Sequence, residues 1–311
     1  MLSRRVVRIK VMQLLYAISR DPQLTTQDII SMYQKGVEKN FEFYLLNLCY
    51  FLATVEYAHK DAELRAKKLI RTTEDHVFKP KLADNSLIKS LKNNDWLQKA
   101  FKKNHSAAKV NEDAVKKLYS EFSKTVEYQQ YILNEKSTDE DTRDMLLAMY
   151  KTIQGSESFN EEMEDFYYSW DDDKTLIVGA MKKTIKSLPA ADDFYKEYEH
   201  DREVVYDFGE QLLRKTALRE QELLEIIEPN LKNWDADRVA VVDMVLIKMG
   251  MIEFTEFPTI PTKVTLNEYV ELSKVYSTDK SKDFVNGILD RILKKMQKEN
   301  LVHKEGRGLM D

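Results

Sequence analysis

The sequence predicts an all-α protein, and three observations carry that reading. Only 8 Gly and 6 Pro punctuate 311 residues, too few breakers for a chain of many strands and turns. Leu, Lys, Glu, Met and Ala, side chains that lose little freedom on entering a helix, are plentiful. Apolar residues recur at three- and four-residue intervals in segment after segment.

The first such segment, SRRVVRIKVMQLLYAI over residues 3–18, places Val7, Val11, Leu14 and Ile18 on one face, the expected core stripe. Arg5, Arg8, Met12 and Tyr16 fall within about a quarter-turn on the neighbouring face, a basic and aromatic flank. Residues 40–70 read as one long helix, first aromatic and apolar (Phe41, Phe43, Tyr44, Leu45, Leu48), then charged and alanine-rich. Residues 72–94 turn polar around Pro80 and are expected to form a connection, with helix resuming near Trp96. Met145 to Phe166 and Phe208 to Pro229 read as amphipathic helices. Each precedes a Trp-led run, Trp170-Asp-Asp-Asp-Lys174 and Trp234-Asp-Ala-Asp-Arg238. Val178, Met181, Ile185 and Leu188 then align with Val242, Val245, Met249 and Ile252. Internal duplication and chance likeness of two amphipathic helices both account for that pattern.

Composition narrows the function classes. With 43% hydrophobic and 32% charged residues, the chain can bury one or two cores. The single cysteine, Cys49, lies in the apolar run from Phe43 to Val55 and reads as a buried core thiol, which rules out a disulfide framework and suits a reducing, cytoplasmic setting. That run is too short to cross a bilayer and holds Asn47, while Val239 to Ile252 is broken by Asp243 and Lys248, so no membrane segment is expected. Gln13 interrupts the first apolar stretch and no small-residue cleavage site follows, so the N-terminus reads as mature structure.

The net charge of −5 argues against a generally basic nucleic-acid coat, but the charge is segregated. Residues 1–20 hold Arg4, Arg5, Arg8, Lys10 and Arg20 and no acid, whereas Glu157 to Asp173 holds eight acids and no Lys or Arg. The acidic run reads as a solvated helix end and loop. Five scattered histidines lack metal-ligand spacing, and there is no glycine-rich phosphate loop or nucleophile elbow. No catalytic residue, metal, cofactor or small-molecule substrate is expected, and the chain does not read as an enzyme.

The most specific stretch runs from Trp234 to Leu293: WDADRVAVVDMVLIKMGMIEF, then FPTIPTKVTLNEYVELSKVYS, then TDKSKDFVNGILDRIL. A Trp-led helix, a Pro-bounded turn, a Val-x-x-Asn-Glu helix start and a Phe-Val-Asn-Gly helix follow in an order that resembles the C-terminal signature of the NusB family. The opening SRRVVRIKVMQLLY, with Gln13 to Tyr16 as Gln-x-Leu-Tyr, resembles the family's Arg-rich start. Residues 1–60 and about 200–298 carry the likeness, and the residues between read as a helical insertion that must bury its own apolar faces. The expected architecture is a NusB-like bundle of two packed helical subdomains, 1–60 and 200–298. The helical insertion 61–199 enlarges it, with the C-terminal half's repeat pattern in degenerate form, and a flexible tail follows over 299–311.

The motifs also have readings of their own. Thr265-Leu-Asn-Glu268 matches a capping box, with Asn267 in the first turn as a further cap or a ligand contact. Pro258 and Pro261 fix an extended connector. Phe284 follows Ser281, Lys282 and Asp283 at a helix start, where free backbone N–H groups favour phosphate. Val285, Ile288, Leu289 and Ile292 supply the core stripe there, and Gly287 is expected to let a neighbouring helix approach.

The resemblance implies an RNA-binding transcription antitermination factor. It would bind single-stranded boxA-type RNA of ribosomal RNA transcripts together with a small-subunit ribosomal protein acting as NusE, and through them the RNA polymerase antitermination complex. Single-stranded RNA requires cations for phosphates and planar groups for unstacked bases. Arg4, Arg5, Arg8 and Lys10, with Lys263, Lys280, Ser281 and Lys282, would serve the first need and Phe284 the second. Tyr16 and Asp243 match positions implied to contact the ribosomal protein; Asp243 alternatively marks the solvent side of its helix. The chain departs from the family pattern at Lys280, often an acid there, and at Val6 and Ile9, which replace polar or basic residues. Two other classes remain: a helical protein-interaction scaffold with weak or lost RNA binding, and the RNA-binding part of an RNA methyltransferase, which the missing glycine-rich cofactor strand disfavours.

Overall fold

The computed structural model describes residues 2–167, 170–231 and 239–309. Those residues are helices and connections, with no strand among them. Helix α1 spans Arg4–Arg20 and starts on Ser3, whose side chain accepts the Val6 N–H at 3.3 Å, the expected role of serine at an N-cap. Helix α2, Thr26–Ala66, runs through 41 residues. The chain divides into two compact units, one of residues 38–199, the other of 2–37 and 200 onward. The division thus falls inside α2, between Val37 and Glu38, and not near residue 60.

The reason lies in where the apolar half of α2 packs. Phe43, Tyr44, Leu48, Tyr50 and Phe51 are buried in the core of the 38–199 unit. Phe43 stacks on Tyr167 at 4.6 Å and Tyr50 meets the Phe159 edge at 5.3 Å. The main helices of this unit are α3 (Glu112–Ser123), α4 (Asp139–Gly155), α5 (Glu157–Phe166) and α6 (Trp170–Lys186). Residues 72–94 are not an open connection: Thr73–Val77, Lys81–Asp84 and Ser86–Lys92 are short helices, and Leu82, Leu87, Ile88 and Leu91 are buried. Thr72 and Asn85 start two of them by accepting backbone N–H groups, so residues that read as turn formers act as caps. Cys49 is buried here, and burial pushes its thiol up to about 11. Most of the acidic run lies on α5 and at the start of α6, although Asp173 is buried and accepts the Tyr167 hydroxyl at 3.0 Å.

The repeat pattern has a structural counterpart. Met181, Ile185 and Leu188 are buried while Val178 is half-buried, and Val245, Met249, Ile252 and Val242 follow the same order. Trp170 opens α6 fully buried; Trp234 and its Asp-Ala-Asp-Arg lie outside the described residues.

In the other unit, α1 and the start of α2 pack with a π-helical stretch, Glu203–Glu210, which leads into α7 (Gln211–Leu218) and α8 (Glu220–Ile227). Helices α9 (Val241–Glu256), α10 (Thr262–Tyr276) and α11 (Ser281–Lys298) pack on one another. Helix α9 is buried on nearly every side from Val245 to Phe254, as a helix apolar all round must be. Val285, Ile288, Leu289 and Ile292 form the expected buried stripe of α11. The close approach is made by Gly250 of α9 and not by Gly287. A Cβ on Gly250 would lie 2.8 Å from Leu289 Cδ2, whereas nothing stands within 4 Å of one on Gly287.

Residues 304–309 are fastened to this unit by hydrogen bonds. The Glu305 N–H donates to the Pro258 carbonyl at 2.9 Å, Lys304 Nζ donates to the Phe257 carbonyl at 3.0 Å, and Gly306–Leu309 forms one 3₁₀ turn. Backbone and lysine hydrogen bonds, rather than apolar residues, hold them, which is why composition gives them no signal.

Candidate functional site

Helix α9 carries three charged side chains in its buried run, and each has a partner. Asp243 near its start accepts the Ser281 hydroxyl at 2.7 Å. Lys248 in the middle donates to Glu220 at 2.7 Å. Glu253 near its end receives Arg8 Nε at 2.8 Å, Arg8 Nη2 at 2.6 Å, Thr265 Oγ1 at 2.9 Å and the Tyr269 hydroxyl at 2.9 Å. Four donors from two helices, α1 and α10, thus converge on one carboxylate of α9 that is 0% exposed. Burial by itself would make the Arg8 guanidinium easier to deprotonate, but the Glu253 charge and its hydrogen bonds overcome that and hold Arg8 charged. The Tyr269 hydroxyl is pushed well above its usual range, first by burial and then by the same carboxylate.

This node revises two expectations. The buried face of α1 is Val7, Arg8, Val11, Met12 and Leu15, rotated roughly 60° from the predicted stripe, so that Arg8 faces inward while Leu14 and Ile18 are half-buried. Arg8, 3% exposed, therefore anchors α1, although it also borders the groove described below. The capping box is absent as well. Helix α10 starts at Thr262 behind Pro261, which puts Asn267 beyond the first turn and frees Thr265 to donate to Glu253 and Glu268 to face the arginines.

Around the node lies a groove of about 540 Å³ lined by Arg4, Arg5, Arg8, Val264, Glu268 and Arg307, among others. Arg4 pairs with Glu203 at 2.6 Å, with its side chain 37% exposed, and its guanidinium lies 5.8 Å from the Phe208 ring centre. Arg5 stands 3.8 Å from Glu268 and is 45% exposed, and Arg8 Nη1 is 3.6 Å from the same carboxylate. Lys10 is half-buried on α1, and Lys263 is exposed at the start of α10, beside Val264.

The second predicted cluster is at the other end of α9. Lys280 and Lys282 are exposed and Phe284 half-buried on the first turn of α11. Ser281 is buried: its hydroxyl donates to Asp243, and the Thr278 N–H donates to it at 3.2 Å. The Ser281 hydroxyl thus fixes the turn that displays its neighbours. Asp243 is 4% exposed, so it marks neither the solvent side of its helix nor a directly exposed contact. Its second oxygen has no hydrogen-bond partner among the described residues. Asp243 and Glu253 are ten positions apart, about 15 Å along the helix axis. The predicted RNA residues therefore form two clusters, on α1 with the start of α10 and on the start of α11, joined through Glu253 and Asp243 to opposite ends of α9.

Helices α1 and α9 run antiparallel, since Arg8 meets Glu253 while Leu15 and Ile18 share a groove of about 400 Å³ with Met244 and Val245. Tyr16, 39% exposed, sits on α1 at that same end, with the Arg20 guanidinium 5.8 Å from its ring centre. Among the described residues no helix is long and apolar enough to cross a membrane, and no group of three or more His, Cys, Asp or Glu is placed to hold a metal ion. Arg307, which lines the groove, and the buried anchors Glu253 and Tyr269 beside it were not singled out by the sequence. A Glu inside an apolar helical run was the available signal for the first anchor; Arg307 had none.

Comparison with known proteins agrees with this architecture. The sequence profile of the NusB family matches residues 180–294. A protein of Salinibacter ruber named transcription antitermination protein NusB is 40% identical over 104 residues, 33% of this chain and 65% of the relative. One of the same name from Chloroherpeton thalassium is 36% identical over 105 residues, 34% of this chain and 50% of the relative. Another from Listeria welshimeri is 40% identical over 86 residues, 28% of this chain and 67% of the relative. The chain thus spans between half and two thirds of the length of these relatives, and no solved structure matches it significantly. On the shared C-terminal helices and the identity along them, the chain belongs to the NusB family.

Proposed function

We propose that this protein is a transcription antitermination factor that binds single-stranded boxA-type RNA of ribosomal RNA transcripts, together with a small-subunit ribosomal protein acting as NusE. The observation that carries the reading is the pair of clusters anchored at opposite ends of α9. One end presents the Arg4 and Arg5 groove and the other presents Lys280, Lys282 and Phe284, cations for phosphates and a planar ring for a base. Lys10 and Lys263 extend the basic surface on α1 and α10. Arg8, Ser281 and Asp243 hold these elements in place. Tyr16 is the exposed element of the protein-binding face, and Asp243 acts on that face through the turn it fixes.

Titration of a fluorescent boxA-type RNA with the full chain, with and without the ribosomal protein, tests this reading. Arg5→Ala and Phe284→Ala are each expected to weaken binding about tenfold, on the scale of 1–3 kcal/mol for a stacked base. Unchanged affinity in both variants would overturn it in favour of a protein-interaction scaffold.

A further inference from the structure

The basic arm is electrostatically balanced once folded. Arg4 faces Glu203, Arg5 faces Glu268 and Arg8 faces Glu253, three cations against three anions. The three arginines that make the sequence look basic therefore bring no net charge to the groove. An incoming phosphodiester requires an excess of positive charge to replace its counterions.

Arg307 supplies that excess. It is the fourth arginine lining the groove, it is exposed, and it forms no ion pair among the described residues. Its position is built by the tail around it. Gly306 adopts φ +53°, the left-handed region that favours glycine, and turns the chain back toward the groove. Gly308 packs so closely on the Pro258 carbonyl that a Cβ there would lie 1.9 Å from the oxygen. The Glu305 N–H donates to that same carbonyl at 2.9 Å. On the other side Lys304 Nζ donates to the Phe257 carbonyl at 3.0 Å and lies 3.4 Å from the Glu253 carbonyl, at the residue whose carboxylate holds Arg8. The tail and the arm are thus fastened to one element, the end of α9 and its Pro258 connector.

We propose that the C-terminal segment Lys304–Gly308 is part of the RNA-binding groove and that Arg307 is its uncompensated phosphate contact. The inference rests on the reading of the groove as an RNA site and adds to it a residue and a segment. Arg5 stays paired with Glu268 until RNA arrives, whereas Arg307 engages a phosphate without breaking an ion pair. Arg307 therefore sets affinity and salt dependence, and base choice is left to Phe284.

The test is a salt series with the full-length protein and a fluorescent single-stranded boxA-type RNA, comparing Arg307→Ala, Arg307→Lys and Arg5→Ala with the wild type. Loss of one phosphate contact reduces the slope of log affinity against log salt by about 0.7, so wild-type affinity should fall roughly 2.6-fold more than that of Arg307→Ala between 50 and 200 mM salt. Arg307→Lys keeps the wild-type slope, because the charge remains. Gly308→Val, which cannot seat against Pro258, is expected to reproduce Arg307→Ala, with an unchanged melting temperature of Arg307→Ala showing that its loss is not one of folding. If Arg307→Ala keeps the wild-type slope and affinity while Arg5→Ala weakens binding, the role of Arg307 is overturned and the groove remains the RNA site. If neither substitution changes binding, the RNA reading of the groove falls and takes this inference with it.

Discussion

Arg8 and Glu253 form a two-point ion pair sealed from solvent, Nε at 2.8 Å and Nη2 at 2.6 Å from the two carboxylate oxygens, and that pair joins the first helix to the central one. Thr265 and Tyr269 complete the carboxylate's hydrogen bonds from α10. A buried charge with all its acceptor sites filled is tolerable, and one left alone is not.

Glu253→Ala and Arg8→Ala are accordingly expected to lower stability by about 3–5 kcal/mol each, because each strands the other charge. Arg8→Met combined with Glu253→Leu recovers only part of the loss, since the Thr265 and Tyr269 hydroxyls then lack an acceptor, at about 1–3 kcal/mol per stranded group. Urea unfolding of the three variants checks this; a double variant as stable as wild type would contradict the four-donor account.

Acid is expected to weaken the fold through His200. Burial lowers its pKa from 6.5 to about 4. Between those values the unfolded chain binds a proton that the folded chain does not, so this contribution is present above pH 6.5 and is lost as pH falls toward 4. Denaturation midpoints from pH 7 to 4 should therefore fall less steeply in His200→Gln than in the wild type. Parallel curves would remove His200 as a source.

Two glycines should respond in opposite directions. Gly250→Ala drives a methyl into Leu289 and is expected to cost about 1–3 kcal/mol. Gly287→Ala meets open space on the same helix pair and should gain about 0.5–1 kcal/mol from helix propensity. Thermal melts of both variants give the signs directly.

Phe159 is 0% exposed in the 38–199 unit, edge-on to Tyr50 at 5.3 Å and to Trp170 at 6.4 Å. Phe159→Ala is expected to destabilise that unit by about 3–5 kcal/mol. At a temperature where the variant remains folded its affinity for RNA should equal the wild type's, because the RNA clusters belong to the other unit. A parallel loss of RNA binding would show that the 38–199 unit contributes to recognition.

The helical class, the α11 core stripe and the C-terminal family signature were legible because they rest on local periodicity and spacing. The inward turn of Arg8 was not, since periodicity weighs an arginine as polar and cannot see a carboxylate 245 positions away. The boundary within α2 was hidden for the same reason: one unbroken helix serves two cores, and only the partners of Phe43 and Tyr50 reveal the division. Thr265 matched a capping box in sequence but stands in a helix that Pro261 starts four positions earlier than the motif requires. Arg307 lay in a segment whose anchoring is by backbone hydrogen bonds, which leave no hydrophobic signal.

The most direct test of the central claim is the affinity of the full chain for boxA-type RNA against a scrambled RNA of equal length, followed across salt. The account predicts selective binding that strengthens with the ribosomal protein and a slope of log affinity against log salt near −3, from four phosphate contacts at about 0.7 each. Equal binding of the two RNAs, with the ribosomal protein present or absent, would contradict it.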